Sequence, residues 1–324
     1  MNAAWYEKQG RPREVLVVGE MPDPIPTAGE VRIRIAASGI NPGDTKKRGD
    51  SFGIGMAYPR VVPHGDGAGH VDQLGTGVPS EWMGRSVWCY GAQSYRPFGT
   101  AAEFTVVPVD HIARLLERVP MEQGACLGIP GITAHRAVHV AGPVNGRTLL
   151  VQGAAGSVGI CAVQLARRAG ARVMGTVRDP ADEATAKSAG ADEVLVSDKE
   201  LASRIRALAP DGIDHIVEVA FGANIEADVE LLKQGGSIAS YATDNATPKI
   251  PFWQMVFKNI RVFFLGSDDF PKETELQAAR DLNAALEAGW PGFEIGERIP
   301  LADIARAHEL AEHPVRRGRV VVVL

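Results

Sequence analysis

The regular alternation of apolar strands with amphipathic helices after residue 147 is the feature that most restricts the fold of this chain. Strands are predicted at TLLVQG, RVMGTV, EVLVS, HIVEVA and SIASYA, with helices at SVGICAVQLARRAGA, PADEATAKSAG, LASRIRALA and NIEADVELLKQGG between them. This alternation indicates a parallel sheet with helices on both faces. We therefore predict an α/β fold in which residues 121–265 form a doubly wound domain.

The first third of the chain has the pattern of a β domain. In EVRIRIAASGI, the apolar residues Val31, Ile33 and Ile35 alternate with Arg32 and Arg34, as in a half-buried strand. Glycine and proline clusters separate this segment from short strands such as SVWCY and AAEFTVV. We predict a compact, barrel-like β domain over residues 1–120. Residues 266–324, which end in the strand RVVVVL, are predicted to complete it.

Three glycines, Gly153, Gly156 and Gly159, lie three residues apart where the first strand of the α/β region meets its first helix. Glycine allows a sharp turn and the close approach of a ligand. A helix that begins there also presents N–H groups and its positive dipole end to a phosphate. This is the place of the pyrophosphate in a dinucleotide-binding βαβ unit. The alternative is a tight turn without a ligand, and Ser157 either caps the helix or binds a phosphate.

The end of the second strand favours NADP over NAD. An NAD site usually carries Asp or Glu about 20 residues after the glycines, whereas RVMGTVRDP ends with Thr176 and Arg178. Asp179 followed by Pro180 suits the start of the next helix. Because a guanidinium group binds phosphate through paired hydrogen bonds, we predict that Arg178 and Thr176 bind the 2′-phosphate. The alternative is a solvated loop arginine.

Charge and composition argue against several classes of partner. The net charge of −5 gives no general attraction to nucleic acid or anionic membranes. No apolar stretch is long enough to span a bilayer, and the segment MNAAWYEKQGRPREV lacks the pattern of a signal peptide. The cysteines Cys89, Cys126 and Cys161 are scattered, which favours a reducing compartment. We expect a cytoplasmic protein with no nucleic-acid or membrane partner.

The chain resembles the zinc-free quinone oxidoreductases (zeta-crystallin-like) of the medium-chain dehydrogenases/reductases. The resemblance covers essentially the whole chain and is carried by PDPIPTAGEVRIRIAASGINPGD, PHGDGAG, GACLGIPGITAHRAV, VQGAAGSVGICAVQLARRAGARVMGTVRD, GIDHIVEV and RGRVVVVL. It implies a GroES-like β domain, a Rossmann domain and NADPH in the cleft between them. It also implies a homodimer formed through the sheet edge of the Rossmann domain. The strand IRVFFLG is a candidate for that edge, although an internal strand has the same pattern.

The zinc ligands of related zinc-dependent enzymes are missing from the matching positions. The segment SGINPGD has no cysteine, and the other two ligand positions fall on Gly65 and Ile129. His64 and Cys126 are out of register with them. Because catalytic zinc needs three protein ligands, we predict no metal. The remaining chemistry is hydride transfer from NADPH to an electron-poor acceptor, a quinone or an α,β-unsaturated carbonyl.

Three residues are candidates for work at the reacting centre. The resemblance places Thr133 against the nicotinamide, with a helix-interior threonine bonded to its own backbone as the alternative. It places Asn41 beside the nicotinamide, although Asn-Pro is equally typical of a turn. Lys46 stands where the family often has tyrosine, so it either donates a hydrogen bond to a carbonyl oxygen or is an exposed lysine of the run KKR. Tyr58 is the tyrosine nearest to this position in the sequence, and it lies downstream of Lys46.

The resemblance also implies a set of cofactor contacts, with core packing as the alternative for the phenylalanines and a surface salt bridge for Arg319. The set is Ala155, Gly156, Ser157, Val158, Asn224, Tyr241, Ala242, Thr243, Phe263, Phe264, Leu265 and Arg319. The segments 48–60 and 266–273 are expected to border the acceptor pocket.

Three functions remain open at this stage. The first is an NADPH-dependent quinone or enone reductase. The second is an enoyl thioester or 2-alkenal reductase, for which KKR at 46–48 is the only candidate basic rim. The third is a non-catalytic NADPH-binding protein of the crystallin type. The first and the third function both require the glycine turn, so the turn does not distinguish between them.

Overall fold

The chain divides into two units, one of Met1–Pro130 with Pro291–Leu324 and one of Gly131–Trp290. The computed structural model describes residues 1–313 and 318–324. The predicted boundaries after residues 120 and 265 are therefore corrected. The helix at Lys272–Glu287 packs on the helix at Ser157–Arg168 and belongs to the second unit. Residues 121–130 stay with the first unit because the helix at Met121–Gly124 packs on its sheet.

The strands of the described residues are, in chain order, β1 Asn2–Trp5, β2 Val17–Glu20, β3 Glu30–Gly39, β4 Asp66–Leu74, β5 Ser86–Cys89, β6 Phe104–Pro108, β7 Ile112–Arg114, β8 Thr148–Val151, β9 Arg172–Val177, β10 Glu193–Val196, β11 Ile213–Glu218, β12 Leu232–Ser240, β13 Arg261–Phe264, β14 Ile295–Pro300 and β15 Arg319–Val323. The helices are α1 Pro12–Val15, α2 Pro42–Arg48, α3 Met121–Gly124, α4 Gly128–His139, α5 Ser157–Arg168, α6 Glu183–Ser188, α7 Leu201–Leu208, α8 Phe221–Leu231, α9 Phe252–Phe257, α10 Lys272–Glu287 and α11 Ile304–Glu312. Single 3-10 turns lie at Ser80–Trp82, Val109–His111, Pro180–Asp182, Ser267–Asp269 and Leu301–Asp303. Among residues 1–313 and 318–324, no helix is both long and apolar enough to cross a membrane.

The first unit is built on a largely antiparallel sheet with the strand order β14-β15-β3-β4-β5-β7, and β6 also pairs with β3. In β3, Val31, Ile33 and Ile35 are buried whereas Arg34 is exposed, so the predicted alternating strand is confirmed. The C-terminal strand β15 lies between β14 and β3, pairing parallel with the former and antiparallel with the latter. The sheet of the first unit therefore needs residues from both ends of the chain.

The second unit contains a parallel sheet with the strand order β10-β9-β8-β11-β12-β13. From β8 the chain moves to β9 and β10 on one side, and it then returns to β11 on the other. Because such crossovers are right-handed, this order puts helices on opposite faces of the sheet, and the predicted doubly wound α/β fold is confirmed. The carboxyl ends of β8 and β11 meet where the order reverses, which is where open α/β sheets bind ligands.

One predicted helix was too long. The segment NIEADVELLKQGG was expected to be helical throughout, but α8 ends at Leu231 and β12 begins at Leu232. Leu232 pairs with Ile213 in the parallel ladder, and the pairing resumes at Ser237 after an irregularity. Tertiary pairing with β11 therefore ends the helix before its sequence pattern does.

Candidate functional site

The glycine turn connects β8 to α5 in the second unit. Gly153 has a φ of +67°, which favours glycine. At Gly159 a Cβ atom would lie 2.2 Å from the carbonyl oxygen of Gly153. The N–H group of Gly156 donates to the same oxygen at 2.9 Å. The turn therefore packs directly on the first turn of α5, and the start of a helix is a place that suits an anion.

Thr176, predicted to bind a 2′-phosphate, instead has its hydroxyl group beneath this turn. The side chain is buried, its Oγ1 accepts a hydrogen bond from the N–H of Gly153 at 3.2 Å, and it donates to Oε1 of Gln152 at 2.6 Å. Because the only hydroxyl hydrogen points to Gln152, Thr176 acts here as a support of the glycine turn.

Arg178 and Asp179 follow the end of β9. The side chain of Arg178 is exposed. The carboxylate of Asp179 accepts a hydrogen bond from the N–H of Ala181 at 2.9 Å, so it caps the turn that follows. This agrees with the capping interpretation of the Asp-Pro pair and leaves Arg178 as the charged side chain at the end of the strand.

A pair of buried carboxyl groups, Glu218 and Asp228, lies next to the glycine turn and was missed in the sequence. The Nε2 of Gln152 donates to Oδ1 of Asp228 at 2.9 Å. Both oxygens of Glu218 accept from Nδ2 of Asn224 at 3.1 Å. Burial, and then Glu218, raise the pKa of Asp228 well above its usual range. The available signal was Glu218 within the apolar segment HIVEVA and Asp228 beside Val229 in the amphipathic helix NIEADVELL.

The predicted cofactor residue Asn224 is thus engaged with Glu218. The pKa of Tyr241 is raised by burial and by the charge of Glu218, which places its hydroxyl group in the same surroundings. The carbonyl oxygen of Ala242 accepts from the N–H of Phe221 at 3.3 Å. Thr243 accepts from the N–H of Gly222 at 3.2 Å. The loop after β12 is therefore tied to the start of α8.

Phe263, Phe264 and Leu265 lie at the end of β13, which is one of the two edge strands of the parallel sheet among the described residues. Phe264 is 71% exposed and makes an edge-to-face contact with Phe221 at 5.2 Å between ring centroids. The N–H of Leu265 donates to the carbonyl oxygen of Ser240 at 2.9 Å. Core packing does not account for Phe264 within this unit, because most of its side chain is exposed.

In the first unit, Asn41 is the centre of a buried polar cluster. Its Nδ2 donates to Oδ2 of Asp66 at 2.6 Å, and its Oδ1 accepts from Nη2 of Arg319 at 2.8 Å. Its backbone N–H donates to Oδ2 of Asp44 at 2.7 Å at the start of α2. The structure therefore brings together Asn41 and Arg319, two residues that were predicted separately.

Asp66 of this cluster also caps α4. Both of its carboxylate oxygens accept from the N–H of Ile129 at 2.9 Å. Burial, opposed by the hydrogen bond from Asn41, raises the pKa of Asp66 to about 7. Burial likewise raises the pKa of Asp44 to about 6. Thr133 lies on the same helix, α4, and its side chain is buried.

Lys46 and Tyr58 are the more exposed candidates. Lys46 is exposed on α2, with its Nζ 5.9 Å from the ring centroid of Phe52. The hydroxyl group of Tyr58 donates to the carbonyl oxygen of Tyr95. Arg48, from the same basic run as Lys46, is buried and bonded to Gly10 and Glu312. The run KKR therefore does not form a continuous basic rim.

Gly65 and Ile129, at the zinc-ligand positions of related enzymes, have no ligand side chain, and His64 has other partners. Its Nδ1 lies 2.8 Å from Oγ of Ser38, and its Nε2 lies 3.0 Å from Nε2 of His308. Burial lowers the pKa of His64 to about 3. Over residues 1–313 and 318–324, no group of three or more His, Cys, Asp and Glu side chains is arranged to hold a metal ion.

Two family models match the chain, one in its β-rich first third and one in its α/β region. The model "Alcohol dehydrogenase GroES-like domain" matches residues 27–117, and the model "Zinc-binding dehydrogenase" matches residues 157–279. The quinone oxidoreductase of Mus musculus is 31% identical over 330 residues, which covers 100% of this chain and 98% of that protein. The human quinone oxidoreductase is 30% identical over 334 residues, with the same coverage.

Solved structures agree with this similarity. A mycobacterial protein in complex with NADPH matches with a TM-score of 0.86 and 26% identity, over 100% of both chains. The quinone oxidoreductase of Escherichia coli in complex with NADPH has the same fold, with a TM-score of 0.86, 23% identity and complete coverage of both chains. The GroES-like match, the parallel sheet and its glycine turn define a medium-chain dehydrogenase/reductase. Within that class, the chain belongs to the quinone oxidoreductase family.

Proposed function

We propose that this protein is a zinc-independent oxidoreductase that uses NADPH to reduce a quinone or another electron-poor conjugated carbonyl. The observation that carries the proposal is the glycine turn at Gly153, followed at the end of β9 by an exposed arginine and a capping aspartate. This arrangement lacks the acidic side chain that binds the ribose of NAD. Full-length similarity to quinone oxidoreductases supports the acceptor class.

The residues of the second unit fit a dinucleotide phosphate. The turn residues Ala155, Gly156, Ser157 and Val158 would hold the pyrophosphate at the start of α5, and Arg178 the 2′-phosphate. Residues Asn224, Tyr241, Ala242, Thr243, Phe263, Phe264, Leu265 and, from the first unit, Arg319 complete the proposed cofactor set. When bound, NADPH supplies a hydride.

The protein's own contribution is to bind, orient and polarise. Asn41 has a fixed amide orientation because Asp66 and Arg319 hold its two ends. We assign it and Thr133 to the positioning of the nicotinamide and the acceptor. Lys46 is exposed and is proposed to donate a hydrogen bond to the acceptor oxygen as negative charge develops there.

Zinc independence is supported by the partners at the expected ligand positions. The N–H of Ile129 is bonded to Asp66, and His64 is bonded between Ser38 and His308. A metal at this place would have to displace a helix cap and a buried hydrogen-bond chain. We therefore propose that activity does not depend on an added divalent cation.

A homodimer in the cytoplasm is the proposed state of the protein. Among the described residues β13 is an edge strand of the parallel sheet, and α9, which precedes it in sequence, carries exposed aromatic side chains. Trp253 and Phe257 of α9 are 66% and 73% exposed and stack on each other, and Phe264 of β13 is 71% exposed. A strand that is at an edge among the described residues, together with exposed aromatic side chains, supports pairing with a second copy of the chain.

The test follows NADPH oxidation by purified, metal-chelated protein with an ortho-quinone and, separately, with a 2-enal, using NADH as the cofactor control. Turnover of the quinone that is faster with NADPH and unaffected by chelation is the expected result. Turnover of the enal alone would favour the alkenal or enoyl thioester reductase. NADPH binding without turnover of either acceptor would favour a non-catalytic binding protein.

A further inference from the structure

We infer that Asp228 is a positioning residue for the cofactor, because its carboxyl group sets the conformation of the glycine turn through Gln152 and Thr176. The inference rests on the proposed function, in which that turn binds the pyrophosphate. Asp228 lies on α8, away from the turn in sequence, and its hydrogen bond to Gln152 connects it to the turn.

The hydrogen bonds that link Asp228 to the glycine turn each have a fixed donor and acceptor. Nε2 of Gln152 donates to Oδ1 of Asp228 at 2.9 Å, so Oε1 of the same amide is the acceptor for the hydroxyl of Thr176 at 2.6 Å. The hydroxyl oxygen of Thr176 is then left to accept from the N–H of Gly153 at 3.2 Å. Removal of the acceptor on Asp228 would free the amide of Gln152 to rotate. Thr176 would then lose its fixed acceptor, and the hydroxyl oxygen that supports Gly153 would no longer be held in place.

The second oxygen of Asp228 lies beside another buried carboxyl group. Oδ2 is buried and has no hydrogen-bond donor among the described residues, and the group beside it is the carboxyl of Glu218. Glu218 already accepts from Asn224 and from the N–H of Ala220. Two adjacent buried carboxyl groups do not both ionise. A proton on Asp228, donated to Glu218, satisfies both groups.

These hydrogen-bonded side chains lie at the carboxyl ends of three neighbouring strands. Gln152 follows β8, Thr176 lies near the end of β9, and Glu218 ends β11. These strands are adjacent in the order β9-β8-β11. A single buried network therefore fixes the edge of the sheet on which the cofactor would rest, and its hydrogen bonds do not involve Arg178.

This separation of roles gives a specific experimental signature. NADPH and NADH share the pyrophosphate and differ only in the 2′-phosphate. A change in Asp228 is therefore expected to weaken the binding of both cofactors by the same factor. A change in Arg178 is expected to weaken the binding of NADPH alone.

The experiment measures Kd for NADPH and for NADH by fluorescence titration of the full chain, and KM for the quinone. Asp228→Leu, of similar size, removes the acceptor and is expected to raise both Kd values about tenfold, while KM for the quinone is unchanged. Asp228→Asn keeps an acceptor for Gln152 and a donor for Glu218, and it is expected to bind both cofactors within about twofold of the parent. Val229→Ala, a buried neighbour on α8 outside the chain of hydrogen bonds, is the control for loss of stability.

Unchanged Kd values in Asp228→Leu would overturn the inference, as would an Asp228→Asn variant as damaged as the leucine variant. If Asp228→Leu does not fold, Thr176→Val removes the other end of the chain and must give the same parallel loss of NADPH and NADH binding. A parent protein that binds neither cofactor would overturn the proposed function itself, which separates that failure from failure of the inference alone.

Discussion

The side chain of Arg178 is exposed at the end of β9, whereas that of Thr176, two residues earlier, is buried under the glycine turn. Both residues were predicted to bind the 2′-phosphate because they lie at the end of the same predicted strand. Successive side chains of a strand point to opposite faces, and Thr176 and Arg178 are on the same face only while the strand continues. β9 ends at Val177, and the direction of Arg178 is set by the loop.

Arg178→Ala is expected to raise KM for NADPH about tenfold to a hundredfold and to leave KM for NADH unchanged. A hydrogen-bonded charged pair contributes about 1.5–3 kcal/mol. Arg172→Ala, at the opposite end of β9, is the matched control and should leave the preference for NADPH intact. Equal losses with both cofactors in Arg178→Ala would remove the arginine from the phosphate site.

The pH dependence of stability provides a prediction for Asp66. Its pKa is raised from 3.8 to about 7 in the folded protein. Between those values the folded state holds the proton more tightly than the unfolded state, so the contribution of Asp66 to stability falls as the pH rises. Asp66→Asn lacks this titration. We expect the variant to gain stability relative to the parent by up to about 1.4 kcal/mol per pH unit between about pH 4 and 7.

Denaturant unfolding of both proteins across this pH range measures the difference. A constant offset between Asp66→Asn and the parent would reflect only the altered cap on α4. The slope of the difference against pH reports the titration. A difference that does not change with pH would contradict the raised pKa of Asp66.

At the scale of elements, the glycine turn was predicted from the spacing of its glycines and its place between a strand and a helix, and its geometry agrees with the prediction. Gly153 needs its positive φ, and Gly159 allows the carbonyl of Gly153 to approach α5. The pair formed by Glu218 and Asp228 could not be predicted in this way. Gln152, which joins it to the turn, is 76 residues from Asp228 in sequence, and only the strand order brings them together.

Gly159→Ala is expected to destabilise the protein by about 1–3 kcal/mol and to weaken NADPH binding, because the new Cβ would clash with the carbonyl of Gly153. Gly43→Ala is the control. Gly43 lies within α2 with no atom within 4 Å of a Cβ, so alanine should stabilise by about 0.5–1 kcal/mol. Thermal unfolding and cofactor titration check both. A Gly159→Ala protein with parental stability and affinity would show that the turn tolerates displacement.

The end of α8 shows the limit of periodicity at this scale. Its pattern continues through LKQGG, but the pairing of Leu232 with Ile213 starts a strand there. The position of β13 in the sheet was likewise undecided in the sequence, because an apolar strand has the same pattern at an edge and in the interior. Strand order is a property of the whole unit.

At the scale of the whole molecule, the exposed aromatic side chains of α9, Trp253 and Phe257, give a prediction on assembly. Phe257→Lys is expected to convert the proposed dimer to a monomer in analytical ultracentrifugation, because a charge would be buried at the interface. Ile25→Lys changes a side chain that is 75% exposed in the first unit and should leave the assembly unchanged. A Phe257→Lys protein that remains dimeric would place the interface elsewhere.

The two units also differ in how they are encoded. The second unit is one continuous segment, Gly131–Trp290, with its own parallel sheet and core. A fragment of these residues is expected to show cooperative thermal unfolding by circular dichroism. A chain shortened after Trp290 lacks β14 and β15, and its first unit is expected to stay unfolded because β3 loses a central partner. Native-like β structure in that shortened first unit would contradict this expectation.

The insertion of β15 between β14 and β3 has a consequence for biosynthesis. The ribosome releases the residues of the parallel sheet well before it releases β15, so the second unit can reach its final fold while the first is still an incomplete sheet. Until residues 319–323 emerge, the residues of β3 that pair with β15 lack this partner, because β15 is synthesised after the whole second unit. A chaperone would matter most during this period, while the edge of the nascent sheet is exposed.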